Sequence, residues 1–270
     1  MNRCFGAPDA HYKSLTGKRV LITGGSSGIG KALALAFSAN GAIVAITGRR
    51  KERLEAVCGQ LKEGHYVIAD LMKVSDCART VAEAVFLMGG LDILVNSGGV
   101  ETEAMMREPS SERAFADAFT MHVATVAALV DAAAPHLTAS GAGAVVNVSS
   151  LSAIQVNPDA TCYNVAQAAQ DHLTKTLARK YTKHGLRVNS VNPCYVDTEF
   201  FDATSKESGL SKEQLHEWAK TENELHRVMT PDEVAGPILF LASDAASFIS
   251  GVHLRIDGAT GVHEEIQLPA

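Results

Sequence analysis

Short, nearly continuous apolar runs alternate along the chain with longer stretches of helical periodicity. Residues 19–23, 42–47, 65–69, 91–95, 144–148, 186–191 and 252–256 read as seven strands. Residues 31–40, 51–61, 74–88, 112–138, 161–183 and 231–242 read as the helices between them. A strand that is apolar at every position must be covered on both faces, which is the condition of a parallel sheet. Right-handed crossovers then predict an α/β fold, a doubly wound parallel sheet of seven strands flanked by helices. Residues 1–270 read as a single domain, with no repeat and no linker; the Ala/Gly-rich 139–143 is a tight connection. The polar stretch 194–227 interrupts the alternation and carries Trp218. An insertion past a strand's carboxyl end is either a lid over a substrate or a surface excursion.

At 46% hydrophobic and 20% charged residues, the chain has the makings of a packed core. With 24 Lys+Arg against 30 Asp+Glu the formal charge is -6 and no basic stripe is present, so no nucleic-acid partner is expected. Residues 1–18 hold no apolar leader and no uninterrupted apolar run nears ~18 residues, so neither secretion nor a membrane is expected. The five cysteines are scattered without C-x-x-C spacing. The expectation is therefore a reduced, cytoplasmic protein with no metal site.

The turn Thr23-Gly24-Gly25-Ser26-Ser27-Gly28-Ile29-Gly30 joins the first strand to the first helix. Glycines there let the backbone approach a pyrophosphate, and the helix aims N–H groups and its positive end at that anion. Two motif matches mislead. Gly24-Gly25-Ser26-Ser27-Gly28 fits the G-x-S-x-G nucleophile elbow, yet only one strand precedes it. Asn147-Val148-Ser149 fits a glycosylation site, but on a buried strand.

From Leu15 to about Val262 the chain resembles the classical short-chain dehydrogenase/reductase family. The glycine loop is similar to that family's TGxxxGxG, and Asp70-Leu71 stands at its adenine-contacting acidic position. Asn96-Ser97-Gly98-Gly99 stands where the family has NNAG. Val146-Asn147-Val148-Ser149-Ser150 resembles its catalytic-serine strand, with Tyr163 13 residues after Ser150. Asn192-Pro193 to Thr198 resembles N-P-G-x-V-x-T, and Ile256-Asp257-Gly258 the final strand end. The resemblance implies a Rossmann-like fold and a nicotinamide cofactor. The positions that would hold it are Gly24, Ser26, Ser27, Gly28, Ile29, Gly30, Arg49, Asp70, Leu71, Asn96, Gly98, Tyr163, Gln167, Pro193, Val196 and Thr198. Gly48 takes the place of the carboxylate that would bind a ribose 2′-OH, and Arg49 offers a guanidinium suited to a 2′-phosphate. NADP(H) is the expected cofactor, with the Ser26 or Ser27 hydroxyl adding a donor.

The resemblance also implies that Tyr163 protonates a carbonyl oxygen, that Ser150 donates to the same oxygen, and that a Lys and an Asn complete the site. Here the Lys position is Gln167 and the Asn position is His122. A neutral Gln167 cannot lower the pKa of Tyr163, although its amide can still bond ribose hydroxyls. Oxidation, which needs tyrosinate, would suffer more than reduction, which uses the neutral phenol. With its ordinary pKa near ~6.5, His122 is expected either to pass protons at cellular pH in place of the Lys route or to be a packed core histidine satisfied by backbone. Cys194 replaces the Gly after Pro193, and Cys162 precedes Tyr163; packing is the expected role of both. The leading reading is an NADP(H)-dependent reductase acting on a carbonyl of a small to mid-sized apolar substrate. The apolar character is inferred from Phe200, Phe201, Leu215 and Trp218 in the lid. The alternatives are a lyase or isomerase without net hydride transfer, and a nucleotide-binding assembly subunit. By resemblance, a homotetramer or homodimer would form through the helices at 112–138 and 161–183. The first of these is rich in alanine at positions 124, 127, 128, 132, 133 and 134.

Overall fold

The computed structural model describes residues 12–99 and 111–260. Seven strands form one sheet in the order β3-β2-β1-β4-β5-β6-β7, every neighbouring pair parallel. They are β1 Arg19–Thr23, β2 Ile43–Gly48, β3 Gly64–Ile68, β4 Ile93–Asn96, β5 Gly143–Val148, β6 Leu186–Pro193 and β7 His253–Ile256. The helices are α1 Gly28–Ala39, α2 Lys51–Cys58, α3 Asp76–Met88, α4 Glu112–Phe119, α5 Thr125–Ala139, α6 Thr161–Tyr181, α7 Glu199–Ser208, α8 Lys212–Thr221 and α9 Pro231–Ala242. The chain moves outward from β1 to β3, then returns to β4 and moves the other way. Parallel strands thus bring their carboxyl ends together at the reversal between β1 and β4, where such sheets leave a crevice.

Two apolar layers sandwich the sheet. On one face α3, α4, α5 and α6 pack through Val81, Ala84, Ala118, Leu129, Ala166 and Leu177 against Leu21, Leu94 and Val145. On the other, α1, α2 and α9 pack through Leu33, Phe37, Leu54, Ile238 and Leu239 against Val20, Ile22, Val44 and Val146. Alternate residues of β1 therefore serve opposite layers, which is why Val20, Leu21 and Ile22 are apolar without alternation. The β1–β4 junction is also tied by charge: Arg19 Nε reaches Asp92 Oδ2 at 2.7 Å and Arg19 Nη2 reaches Oδ1 at 3.0 Å. This pair, with the Arg19 amide also donating, holds the Asp92 carboxyl below its ordinary range.

The segment between α4 and α5, Thr120–Ala124, is a single π-helical turn that makes residues 112–139 one continuous rod. That rod is long and apolar enough to cross a membrane by length and composition, but half of its most apolar stretch is buried inside the fold, as expected of a core helix. The helical readings were met closely; the lid is more ordered than its polar composition suggested. Residues 194–227 build α7 and α8 around a small core of Phe201, Leu215 and Ala219. Caps explain their ends. Thr198 Oγ1 accepts from the Phe200 amide at 3.2 Å, and Ser211 and Gln214 form a reciprocal box at the start of α8. The tail 263–270 and Cys4 lie outside the described residues.

Candidate active site

The β1–α1 turn is built so that backbone approaches backbone. Gly24 has φ +67, and a Cβ on it would stand 2.8 Å from the Ser97 carbonyl oxygen. A Cβ on Gly30 would stand 2.3 Å from the Gly24 carbonyl oxygen. Thr23 Oγ1 accepts from the Ser97 and Gly98 amides at 3.0 and 2.8 Å, locking the ends of β1 and β4 side by side. Ser27 caps α1 in extended geometry without a side-chain bond to the first turn, so those N–H groups and the hydroxyl remain available to an anion. Gly28 lies against Thr198, whose Cγ2 would be 3.2 Å from a Cβ there. Glycine loop and lid thus meet across the crevice.

At the end of β2, the open face of Gly48 looks toward Ser26, whose Oγ would be 3.4 Å from a Cβ on Gly48. Arg49 is exposed and has no ion-pair partner among the described residues. Arg50 and Arg53 reach Glu199 at the start of α7, at 3.9 and 2.6 Å. Residues 26–30, 48 and 49 are therefore shaped for a dinucleotide: a cradle of small residues, an uncapped helix start and a free guanidinium.

On the other side of the crevice α6 presents Tyr163 and, one turn later, Gln167. The His122 ring meets the Tyr163 ring edge-on at a centroid distance of 5.4 Å. Gln167 is 2% exposed. Its Oε1 accepts from Ser149 Oγ at 3.4 Å and its Nε2 lies 3.4 Å from His122 Nδ1. An amide N–H can only donate, so His122 Nδ1 accepts and the ring proton sits on Nε2. Burial pushes His122 down to about 4. The expectation that it titrates near cellular pH is overturned: the imidazole is neutral there, because no neighbouring charge compensates its removal from water. The amide of Gln167 is likewise turned inward to His122 and Ser149. The Ser150 hydroxyl accepts from the Ser152 amide at 3.1 Å, and its main-chain carbonyl accepts from Asn192 Nδ2 at 3.0 Å.

The remaining positions fall into two groups. Ile29 and Val196 pack in the apolar layer of α1, α2 and α9, and Leu71 in the opposite one; Val196 bridges to Met229. Asp70 turns its carboxylate to the Met72 amide at 3.2 Å. Pro193 closes β6 opposite Ile256. Asn96 is 3% exposed and donates to Asn147 Oδ1 at 2.8 Å, tying β4 to β5. Asn147 is fully buried, and so is unavailable to a sugar chain. Cys162 sits in the core, and burial raises both its thiol and that of Cys194, which keeps them unreactive. Among the described residues no cluster of His, Cys, Asp and Glu could hold a metal. The sequence reading quoted Ser149 and Asn192 only as parts of motifs, and it missed Asp171. A carboxylate on the buried stripe of α6, eight residues after Tyr163, was the available signal.

A crevice at the strand reversal, with a glycine turn and an open helix start at its edge, is the layout of the dinucleotide-binding oxidoreductase folds. The comparisons agree: the family described as enoyl-(acyl carrier protein) reductase matches residues 24–263. Gluconate 5-dehydrogenase of Gluconobacter oxydans is 31% identical over 253 residues, 92% of this chain and 96% of that one. The structure of L-sorbose reductase from Gluconobacter frateurii, complexed with NADPH and L-sorbose, aligns with a TM-score of 0.84 at 28% identity, covering 90% of this chain and 96% of that one. Aldohexose dehydrogenase of Thermoplasma acidophilum aligns at 0.85 and 26%, covering 96% and 100%. The chain belongs to the short-chain dehydrogenase/reductase family.

Proposed function

We propose that this oxidoreductase uses NADP(H) and works in the direction of carbonyl reduction. The observation that carries the reading is the replacement of a cation by neutral groups beside the phenol: Gln167 is an amide, and His122 is held neutral by burial. Without a lysine's charge to favour tyrosinate, the phenol of Tyr163 serves as an acid. A nicotinamide held in the crevice would supply the hydride to the carbonyl carbon. Ser150 directs its hydroxyl to the carbonyl oxygen, Tyr163 gives that oxygen a proton, and water refills the phenol. The neutral His122 ring, accepting from Gln167 at Nδ1 and packed edge-on against Tyr163, positions the phenol rather than acting as an acid. Thr198 would place the carboxamide, while Gln167, turned inward, braces His122 and Ser149 instead of the ribose.

The preference for NADP(H) is supported by Gly48, Ser26 and the unpaired Arg49 at the end of β2. The sorbose reductase neighbour, by its description, was complexed with NADPH. An apolar substrate is supported by the exposed Ile154 and Val156, just after Ser150, and by Trp218 and Leu225 in the lid. Phe201 and Leu215 serve the lid's own core instead. Association between copies is supported by exposed Val165 and Phe119 on the two long helices; Ala133 and Ala134 are core residues. The deciding experiment is fluorescence titration with NADPH and NADH, followed by NADPH consumption against a panel of ketones and enones. Tighter binding of NADPH with carbonyl-dependent consumption is expected. Preference for NADH, or binding with no consumption across the panel, overturns the reading.

A further inference from the structure

The buried stripe of α6 carries a carboxylate two turns beyond Tyr163. Asp171 is 8% exposed, and both of its oxygens are engaged. Oδ1 accepts from Ser190 Oγ at 3.1 Å and Oδ2 from Asn192 Nδ2 at 2.8 Å. Ser190 Oγ also lies 2.6 Å from His253 Nδ1 on β7. Its proton goes to Asp171, so its oxygen accepts from the imidazole. Ser, His and Asp here do not make a nucleophile: Ser190 is fully buried and its proton faces the carboxylate.

Asn192 is the junction between this cluster and the active site. The same Nδ2 that serves Asp171 donates to the Ser150 carbonyl at 3.0 Å and reaches Ser149 Oγ at 3.4 Å. Ser149 in turn donates to Gln167 Oε1. A side-chain amide can sit in two orientations related by a half-turn, with donor and acceptor exchanged. A carboxylate accepts only, so Asp171 permits the orientation that presents Nδ2. The opposite one would set Asn192 Oδ1 against both the carboxylate and the Ser150 carbonyl. Asn192 Oδ1 is buried without a partner among the described residues, so no bond of its own fixes the amide; the choice falls to the acceptors facing Nδ2, of which Asp171 carries the charge and the shorter contact, 2.8 Å against 3.0 Å.

We propose that Asp171 is a positioning residue. It selects the orientation of Asn192, and Asn192 holds the Ser150 main chain and the Ser149–Gln167 contact in register with Tyr163. The role in turnover rests on the reductase reading above; the effect on the Ser149–Ala153 segment does not. In a site whose lysine is replaced by an amide, an uncharged network needs an external reference to fix which groups donate, and a buried carboxylate supplies one.

The test uses the full chain with Asp171→Ala, Asp171→Asn, Asn192→Ala and the Asp171→Ala/Asn192→Ala double variant. Asp171→Ala is expected to lower kcat for carbonyl reduction about ten-fold, with the Kd for NADPH within two-fold of the parent. Amide hydrogen exchange in residues 149–153, measured without substrate, is expected to quicken. In Asp171→Asn the new amide can present oxygen to Asn192 and nitrogen to Ser190, whose hydroxyl then turns to His253. That variant is expected to recover most of kcat and of the exchange protection. Acting through one junction, the double variant should be no worse than Asn192→Ala. Unchanged kcat and exchange in Asp171→Ala, additive losses in the double variant, or no recovery in Asp171→Asn overturns the proposal. So does a loss spread evenly over melting temperature and NADPH affinity, the mark of a merely structural carboxylate. Should Asp171→Ala not fold, Asn192→Ala and Asp171→Asn decide it by the same exchange readout. A parent enzyme that consumes no NADPH refutes the reductase reading alone, because the exchange comparison needs no turnover.

Discussion

Gln167→Lys returns a cation to the turn of α6 that follows Tyr163, and its effect can be worked from the helix. Four residues of helix rise about 6 Å. A unit charge at that distance, in a site of effective dielectric near 20, contributes about 3 kcal/mol toward tyrosinate. At about 1.36 kcal/mol per unit, that is a fall of about two units for the phenol. The tyrosinate fraction at pH 7 then rises about 100-fold. The site can accept the ammonium, because the Gln167 amide nitrogen already lies 3.4 Å from the His122 Nδ1 lone pair and its oxygen 3.4 Å from Ser149 Oγ. The assay is the initial rate of NADP+ reduction with a secondary alcohol across pH 6–10. The alkaline limb should move about two units toward acid, and oxidation at pH 7 should rise on the order of 100-fold, given the shift above. Carbonyl reduction should change far less. If the variant binds NADP+ yet oxidises alcohol at pH 7 no faster than the parent, Tyr163 is not the base and the site's chemistry has been misassigned.

Other perturbations probe separate parts. Ser150→Ala removes the donor to the carbonyl oxygen and should cut kcat by about 100-fold, a usual cost for one such donor, with NADPH affinity unchanged in a fluorescence titration. Arg49→Ala should weaken NADPH binding by about ten- to a hundred-fold, the range of a lost charge-assisted bond, and leave NADH binding unaltered in isothermal calorimetry. Gly24→Ala places a side chain at φ +67 and 2.8 Å from the Ser97 oxygen; it should lower the melting temperature and abolish dinucleotide binding together. For His122, the folded pKa of about 4 lies below the unfolded value of 6.5. Between those values the unfolded chain binds the extra proton, so the contribution, about 3 kcal/mol, is complete above 6.5 and is lost as pH falls toward 4. Its ring proton resonance should not titrate between pH 6 and 8, and His122→Asn should flatten the fall of melting temperature with acid.

The sheet was legible because β1, β2, β4 and β5 each carry a run of three or four consecutive apolar residues, a pattern that points to a covered parallel sheet once helices alternate with it. The cradle was legible for a similar reason: Gly24 and Gly30 answer a steric demand that only glycine meets. The lid helices were harder. Glu199–Ser208 and Lys212–Thr221 are short and polar, and their order comes from caps and from three small-core residues rather than from periodicity. The charge state of His122 could not be read at all, since burial is set by what α6 brings against it. Asp171 was visible as a letter and invisible as a partner: residues 190 and 192 reach it through the packing of α6 on β6, and residue 253 through the pairing of β6 with β7.

The insertion after β6 joins the rest of the molecule through the Val196–Met229 bridge, the Thr198 methyl against Gly28, the Glu199 ion pairs and the Glu224 amide on the Gly258 carbonyl. Its two helices fold around their own filling of Phe201, Leu215 and Ala219. A module anchored in this way can be exchanged for a homologous one without repacking either layer of the sheet. Chimeras that swap residues 198–228 between relatives should therefore retain cofactor binding while carrying substrate preference with the graft, a route by which one chassis could serve many alcohols and ketones.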